Sequence, residues 1–310
     1  MGFEGRGAKL YDAFLASKVL PNAWEEWSSY RRQVTDYLIE NSAPMASLAI
    51  FGAGRCNDLD LGRLLDHFSQ VTLLDMDERA MREGLEKYRI SFQKEDGEMP
   101  SRLNMLPVNF TGICAEDLTA FADALLQSKD TENPYGAVYG AEEVLARIYD
   151  KTREYKPALL QKQFDYTAAL GVHSQLGNAP AWLLDVAGDG FRQQERERLF
   201  RRIERESALM AVRLNQYILS ATRKKAFLGY EICRAVLEDG IWYAVPDSYV
   251  SGAWQAAEDI RRLASCGSIL FNNYYDIVWP FCAAANKAYH IRIMEAETVS
   301  GAGERLFCPG

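Results

Sequence analysis

Two glycines and one aspartate form the pattern in this sequence that points most directly to chemistry. An apolar run over 46–51 breaks into Gly52-Ala53-Gly54, and a second apolar run over 70–74 ends at Asp75, 23 residues after Gly52. Glycines permit a sharp turn and leave room for a ligand against the backbone, and a helix that follows offers unpaired amide N–H groups. A carboxylate at the end of the neighbouring strand can accept hydrogen bonds from the two hydroxyls of a ribose. The pair therefore predicts a nucleoside site at the edge of a sheet.

Both signals also have a purely structural interpretation. Many turns from strand to helix contain two glycines, and an aspartate after a strand can simply cap the next helix. Asp77 competes with Asp75 for that capping role, because a helical pattern begins near Glu78.

The elements around the glycines alternate in a way that predicts an α/β fold. Strand and helix succeed one another from residue 46 to 126, which is typical of a parallel sheet covered on both faces. The predicted elements are strands over 46–51, 70–74 and 104–109 and helices over 58–67, 78–92 and 116–126.

The rest of the chain adds helices at two places and closes the sheet. Helical spacing over 8–41 predicts an N-terminal cap, residues 1–44, in front of a Rossmann-like domain, residues 45–310, with a helical insertion at about 128–163. Further predicted elements are strands over 164–171 and 226–232, helices over 193–221 and 252–264, and an antiparallel strand pair over 269–281 and 288–296.

Three segments together resemble the class I S-adenosylmethionine-dependent methyltransferases. They are LAIFGAGRCNDLDL at 48–61, the strand that ends at Asp75, and FDYTAALGVHSQL at 164–176. The resemblance covers about residues 48–176. It implies a Rossmann-like methyltransferase sheet, mostly parallel with an antiparallel C-terminal strand pair, and S-adenosyl-L-methionine as the cofactor.

Two positions depart from the family's pattern. Cys56 stands where a third glycine is usual, and Ile50 stands where many members carry an acid near the methionine amino group. Asp58 and Asp60 are the candidates to replace that acid. The cofactor-binding residues that follow from the resemblance and from the sheet edge are Phe51, Gly52, Ala53, Gly54, Cys56, Asn57, Asp75, Met76, Asn109, Phe110, Thr111, Gly171, Val172 and Gln175.

Phe110 and three further residues have roles that the sequence leaves open. Phe110 either stacks on the adenine or packs in the core. His173 follows the fourth predicted strand and is the candidate general base, with a hydrogen-bonded structural residue as the alternative. The aromatic residues Tyr30 and Tyr274 are candidates for the substrate wall, with core packing as the alternative for the N-terminal helices.

Composition and motifs exclude several other classes of protein. A nicotinamide dehydrogenase would show G-x-G-x-x-G, but Asn57 stands three residues after Gly54. The 35 Lys and Arg against 43 Asp and Glu give a net charge of −8, which argues against a nucleic-acid partner. No zinc-ligand spacing and no apolar run of membrane-spanning length occurs, so no metal and no membrane partner is expected. Scattered cysteines and the lack of an export signal favour a cytoplasmic protein. A homodimer is one assembly compatible with the sequence.

The sequence thus favours methyl transfer from S-adenosyl-L-methionine to a small molecule or a protein side chain. One alternative is transfer of the cofactor's aminoalkyl arm, as aminopropyl-transferring and nicotianamine-synthase-like enzymes do, with Asp185 and Asp189 as the acids that would orient an amine. The other is a non-catalytic protein that binds S-adenosylmethionine or S-adenosylhomocysteine.

Overall fold

The computed structural model describes residues 5–88, 102–127, 134–158, 160–161, 163–249 and 251–299, and these form one sheet flanked by helices. The strands are β1 (Ser47–Phe51), β2 (Gln70–Asp75), β3 (Leu103–Pro107), β4 (Phe164–Leu170), β5 (Thr222–Glu238), β6 (Ile241–Tyr249), β7 (Ile269–Cys282) and β8 (Lys287–Thr298). The helices are α1 (Arg6–Ser17), α2 (Ala23–Glu26), α3 (Ser28–Glu40), α4 (Leu61–His67), α5 (Glu78–Lys87), α6 (Ala115–Gln127), α7 (Pro134–Glu154), α8 (Asn178–Ala187), α9 (Gln193–Ala221) and α10 (Ser251–Ser265).

The strand order places the edge of the sheet where a ligand can bind. The order is β3-β2-β1-β4-β5-β8-β7, with β6 paired to β5 off this path. Strands β3 to β5 pair in parallel, and β8 is antiparallel to both β5 and β7. This arrangement confirms the predicted Rossmann-like sheet with an antiparallel C-terminal pair. The chain order reverses between β1 and β4, and ligands of such sheets bind at the carboxyl ends of the strands beside this reversal.

Burial on both faces explains why β1 is an unbroken apolar run. All five residues of β1 are buried. Leu48 and Ile50 belong to the core cluster that includes α3, whereas Ala49 and Phe51 belong to the cluster that includes α9 and α10. Successive side chains of a strand point to opposite faces, so a central strand covered on both sides needs apolar residues at every position.

Strands β5, β7 and β8 extend beyond the carboxyl ends of the parallel strands and form a wall at that edge of the sheet. The register pairs Leu170, the last residue of β4, with Gly229, and β5 continues to Glu238. Strand β6 follows after a turn at Asp239 and Gly240, which both have positive φ, of 49° and 80°. That geometry is the usual two-residue hairpin turn, for which Asp-Gly is a strong signal. The sequence analysis did not predict β6, and it also missed α8.

Several predicted boundaries differ from the observed ones. The helix predicted from residue 58 begins at Leu61, because Asp60 caps it by accepting a hydrogen bond from the Arg63 N–H at 3.2 Å. The last four residues of the helix predicted over 78–92 lie outside the described residues, as do residues 128–133 of the predicted insertion, whose remainder contains α7. The division of the chain into a cap and a cofactor-binding domain stays a prediction. Among the described helices, none has both the length and the apolarity of a membrane span.

Candidate functional site

A cavity of about 770 Å³ opens at the carboxyl edge of the sheet. Its floor consists of the loops after β1, β2 and β4, and its sides consist of α1, α8 and the wall formed by β7 and β8. The floor residues are Gly52, Ala53, Gly54, Arg55, Cys56, Asn57, Asp58, Asp75, Met76, Asp77, Gly171, Val172, Ser174 and Gln175. The structure therefore brings ten of the fourteen predicted cofactor-binding residues to one cavity.

The two glycines of the first loop have different structural duties. Gly52 has φ of +72°, and a Cβ there would lie 2.6 Å from Val172 Cγ2, so only glycine lets the loops after β1 and β4 touch. Gly54 has φ of +48°, and a Cβ there would meet nothing within 4 Å. A side chain at position 54 would therefore enter the cavity. Cys56 shares this backbone conformation with φ of 49°, at the position where the family's pattern has a third glycine.

The Asp75 carboxylate ties the end of β2 to the glycine turn. Its Oδ2 accepts a hydrogen bond from the Gly54 N–H at 2.9 Å, and its Oδ1 accepts one from the Asp77 N–H at 2.9 Å. Each carboxylate oxygen has a further lone pair, so Asp75 can still accept hydrogen bonds from a ligand. Burial raises the pKa of this carboxyl, although both backbone N–H groups oppose that rise.

The capping alternative for Asp75 is wrong, because Asp77 caps α5. The Asp77 side chain accepts a hydrogen bond from the Ala80 N–H at 2.9 Å.

Asp77→Ala is expected to lower the free energy of unfolding by about 1 kcal/mol through loss of the cap. Urea denaturation measures this cost. A ligand affinity that changes by more than about twofold in the same variant would contradict the assignment of Asp77 to the cap alone.

Of the two candidates to replace the acid missing at Ile50, the structure brings Asp58 to the cavity. Ile50 is buried in the core, and Asp60 serves as the N-cap of α4. Asp58 lines the cavity, and burial raises the pKa of its carboxyl to about 7, against the opposing effects of a backbone hydrogen bond and of the Arg31 guanidinium.

The loop after β3 does not reach the cavity, contrary to the prediction for Asn109, Phe110 and Thr111. Asn109 Oδ1 accepts from the backbone N–H groups of Thr111 at 3.0 Å and Gly112 at 2.9 Å, and Asn109 Nδ2 donates to the Ile113 carbonyl oxygen at 2.8 Å. The asparagine thus organises its own loop, as asparagines in turns commonly do.

Phe51 and Phe110 also lie outside the cavity lining and pack in the core. Their ring centroids are 5.8 Å apart, and both rings contact Tyr217 of α9, at 5.9 Å and 6.2 Å. Of the two interpretations of Phe110, the structure therefore favours core packing. The physical reason is alternation, because Phe51 shares its face of β1 with Ala49 and that face is covered by helices.

His173 is buried beneath the sheet edge and is absent from the cavity lining. Its exposure is 1%, and its ring centroid lies 4.7 Å from that of Tyr230. Burial lowers the pKa of the imidazole to about 3. The geometry gives the general-base interpretation no support, and it does not show the hydrogen-bonded structural role either, because neither ring nitrogen has a hydrogen-bond partner among the described residues.

The two tyrosines predicted for the substrate wall lie elsewhere. Tyr30 is buried against Trp279, with ring centroids 5.8 Å apart. Tyr274 is 50% exposed on β7, and the Arg292 guanidinium lies 4.3 Å from its ring centroid. The register explains the error, because Tyr274 pairs with Met294 in the middle of the sheet, whereas Trp279 pairs with Tyr289 beyond its edge. The observed aromatic lining consists of Phe14, Trp27, Trp182, Trp279, Phe281 and Tyr289.

The sequence analysis missed four charged residues of the cavity lining: Arg55 after β1, Glu231 on β5, Lys18 after α1 and Lys287 at the start of β8. A signal existed for Glu231, which is a single acid inside the apolar strand segment AFLGYEICRAV. A charged residue seldom occupies a central strand without a function or a buried partner. The lysines give no comparable signal, since surface lysines are common.

Comparisons with known proteins give likenesses to solved structures alone. No protein-family model matches the sequence, and a search of curated proteins found no match. The chain is similar in structure to magnesium protoporphyrin IX methyltransferase from Synechocystis PCC 6803 with bound SAM, at 10% identity and a TM-score of 0.42, with 96% of this chain and 93% of that chain covered. It is also similar to a SAM-dependent methyltransferase from Methanosarcina mazei, at 6% identity and a TM-score of 0.44, covering 85% of this chain and 97% of that one. A third similar structure is the methyltransferase domain of bacterial CtHen1, at 9% identity and a TM-score of 0.39, covering 87% and 98%.

Proposed function

We propose that this protein is an S-adenosyl-L-methionine-dependent methyltransferase. The observation that carries the proposal is that Gly54 and Asp75 line the same cavity, joined by a hydrogen bond of 2.9 Å. The glycine leaves open space beside the backbone, and the carboxylate is available to the hydroxyls of a ribose. A nucleoside that carries a small charged arm fits this arrangement.

Different lining residues are proposed to bind different parts of the cofactor. Asp75 accepts hydrogen bonds from the ribose, the backbone from Gly52 to Gly54 lies along the ligand, and Asp58 binds the amino group of the methionine arm. The ten predicted residues that line the cavity form the proposed cofactor site, namely Gly52, Ala53, Gly54, Cys56, Asn57, Asp75, Met76, Gly171, Val172 and Gln175. The bound cofactor supplies an electrophilic methyl carbon on its sulfonium.

The chain's own contribution is to position the acceptor and to exclude water. Holding a nucleophile in line with a reactive carbon, at about 3 Å, can supply much of the acceleration of such a transfer. The aromatic side of the cavity suits this purpose, because its side chains shield the reacting atoms from solvent. Such a reaction does not require His173 as its base, and the position of His173 does not weigh against it.

The acceptor is proposed to be a small molecule. A volume of about 770 Å³ lies within the range of small-ligand pockets, about 300–1,000 Å³. Acids outnumber basic residues in the cavity lining, and this excess of negative charge disfavours the phosphates of a nucleic acid. The acids are Asp58, Asp75, Asp77, Asp185 and Glu231, and the basic residues are Lys18, Arg55 and Lys287. We further propose that the protein acts in the cytoplasm.

Titration of the purified protein with S-adenosylhomocysteine tests the proposed function. We expect saturable heat with one ligand per chain in isothermal titration calorimetry, and no heat with NAD as the matched control. Binding of NAD in place of S-adenosylhomocysteine would restore a dehydrogenase. A flat titration with S-adenosylhomocysteine at millimolar concentration would refute the methyltransferase.

Transfer of the aminoalkyl arm is a second candidate, favoured by the acids Asp58 and Glu231 in the same cavity. Of the acids first considered for this role, Asp185 lines the cavity and lies 3.6 Å from the Arg196 guanidinium, whereas Asp189 is outside the lining and lies 3.8 Å from the same residue. The mass of the product separates the two reactions, because one adds a methyl group and the other adds the aminoalkyl arm.

A further inference from the structure

Glu231 is a buried carboxylate with one oxygen unused. Its side chain lies on β5, is 2% exposed and lines the cavity. The Ser174 hydroxyl donates to Glu231 Oε1 at 2.6 Å, but Oε2 has no hydrogen-bond partner among the described residues. A buried polar atom without a partner is costly, by about 1–3 kcal/mol or more for a charged group. A ligand group that donates to Oε2 would remove that cost.

Trp279 supplies an unused donor beside this carboxylate. Its Nε1–H is buried without a partner in the described part of the chain, and the residue lines the same cavity. A Cβ at Gly171 would lie 3.1 Å from Trp279 Cζ3 and 3.2 Å from Glu231 Oε1, so both side chains converge on that glycine. Trp27 provides the contrast, since its Nε1–H donates to the Phe281 carbonyl oxygen at 3.1 Å. Glu231 and Trp279 therefore approach the same glycine at the cavity, and each carries one unused polar atom.

The surroundings of Glu231 and Trp279 favour a cation. The Trp279 ring centroid lies 4.8 Å from that of Trp27 and 4.9 Å from that of Phe281, which in turn lies 5.7 Å from that of Tyr289. Aromatic faces attract cations, and a carboxylate in apolar surroundings is stabilised by a positive group beside it. Burial raises the pKa of Glu231 to about 7 in the absence of such a group.

Two lysines on the side of the cavity favour the binding of an anion. Lys18 and Lys287 both line it, and neither forms an ion pair with an acid in the described part of the chain. Burial, together with repulsion from Lys287, lowers the pKa of Lys18 to about 8. The Lys287 ammonium lies 5.5 Å from the ring centroid of Phe281, next to the aromatic group around Trp279. A negative group between the lysines would relieve their repulsion.

Position in the sheet separates Glu231 from the proposed cofactor site. The charge of Asp75 helps to raise the pKa of Asp58, and Asp58 and Glu231 both help to raise the pKa of Tyr30, so the separation is between Asp75 and Glu231. Between β2, which ends at Asp75, and β5, which carries Glu231, lie β1 and β4. Three spacings of about 4.8 Å put these outer strands about 14 Å apart. Glu231 is thus on the acceptor side.

We propose that the methyl acceptor is a small aminocarboxylate, whose amine binds Glu231 and whose carboxylate binds Lys18 and Lys287. The inference rests on the proposed methyl transfer and names its substrate class. In the reaction, Glu231 takes a proton from the ammonium group, and the freed nitrogen lone pair forms a bond to the methyl carbon. The bond between that carbon and sulfur breaks, its electron pair stays on sulfur, and the proton on Glu231 passes to water.

The test measures binding to the protein loaded with S-adenosylhomocysteine. Isothermal titration uses glycine, β-alanine, 4-aminobutanoate, 6-aminohexanoate and phenylalanine, each beside the hydroxy acid of the same length. At least one aminocarboxylate is expected to bind, at least tenfold more tightly than its hydroxy acid, because only the amine brings a cation to Glu231. Mass spectrometry with S-adenosyl-L-methionine then detects the N-methylated product.

Three variants and one control identify the residues. Glu231→Gln is expected to weaken the aminocarboxylate at least tenfold while S-adenosylhomocysteine affinity stays within twofold, and Glu238→Gln, at the exposed end of the same strand, is the control that changes neither. Trp279→Phe keeps the ring and removes an N–H that can only donate, so its partner on the ligand is a carboxylate oxygen. This variant should weaken the aminocarboxylate about tenfold even if Glu231→Gln fails to fold. Lys287→Gln should weaken the aminocarboxylate more than the amine of the same length without a carboxylate.

The outcomes distinguish the inference from the proposed function. If the unaltered protein does not bind S-adenosylhomocysteine, the proposed function fails and the inference fails with it. If it binds S-adenosylhomocysteine but binds and methylates no member of the amine series, the inference alone is overturned. A tenfold loss of S-adenosylhomocysteine affinity in Glu231→Gln would place Glu231 at the cofactor's own amino group and would also overturn it.

Discussion

Replacing Gly54 by asparagine is expected to abolish binding of S-adenosylhomocysteine in a protein that remains folded. Asparagine tolerates the positive φ of +48°, at a cost on the order of 1 kcal/mol, and its side chain meets no protein atom near its Cβ. The side chain instead occupies the space beside the backbone that the ligand needs. We expect the dissociation constant to rise at least about 100-fold, which corresponds to about 2.7 kcal/mol. Calorimetric titration measures it, and circular dichroism reports the fold.

Gly52→Ala is the matched control for this result. Its Cβ would lie 2.6 Å from Val172 Cγ2, so the loops must move apart and the protein should lose about 1–3 kcal/mol of stability before any ligand is added. The two variants thus distinguish Gly54, which leaves space for a ligand, from Gly52, which leaves space for the Val172 side chain. If Gly54→Asn bound S-adenosylhomocysteine as well as the unaltered protein does, the ligand would not pass over this turn.

The second large effect is expected for Asp75→Ala. Loss of one hydrogen bond from a ribose hydroxyl to this charged acceptor costs about 1.5–3 kcal/mol, so the dissociation constant for S-adenosylhomocysteine should rise about 10- to 100-fold, and further if both hydroxyls are bound. Asp75 also has a structural role, because its carboxylate accepts hydrogen bonds from the backbone N–H groups of Gly54 and Asp77. The variant should therefore also be less stable, by about 1–3 kcal/mol.

Comparison with Asp77→Ala separates these two consequences. Both variants lose stability, but only Asp75→Ala should lose affinity. Asp75→Asn adds a finer comparison, because it retains one acceptor oxygen for the glycine turn and lacks the charge. If affinity were unchanged in Asp75→Ala, a nucleoside would not bind at this edge of the sheet, and the proposed function would lose its main support.

The parts of the fold that the sequence predicts well are those with one strong local cause. Strands β1 and β2 are apolar runs because central strands are buried on both faces, and the order of strands and helices follows from them. Strand β6 was missed although the Asp239-Gly240 turn is a hairpin signal, because the strand itself carries Pro246 and several exposed residues. Proline weakens the pattern of a strand.

The candidate site was predictable only where its residues adjoin a strand end in the parallel part of the sheet. Gly52, Gly54 and Asp75 lie in that position, and the spacing of these residues along the chain is therefore enough to predict that they are close together. Asn109 follows a strand in the same way, but its side chain satisfies the N–H groups of its own loop, which no spacing rule reveals. Glu231 on β5 and Trp279 on β7 both approach Gly171, and that approach depends on a register that bulges in β5 and β7 alter.

The wall of antiparallel strands has a consequence for engineering. The proposed cofactor contacts come from loops that are fixed by the close approach of Gly52 to Val172, whereas the aromatic lining comes from helices and strands outside that contact. Under the proposed function, we expect selectivity for the acceptor to be changeable without loss of cofactor affinity. A library that varies Phe281 and Tyr289 should yield variants with altered substrate range that keep a common affinity for S-adenosylhomocysteine, which makes this scaffold a candidate for directed evolution toward new methylation products.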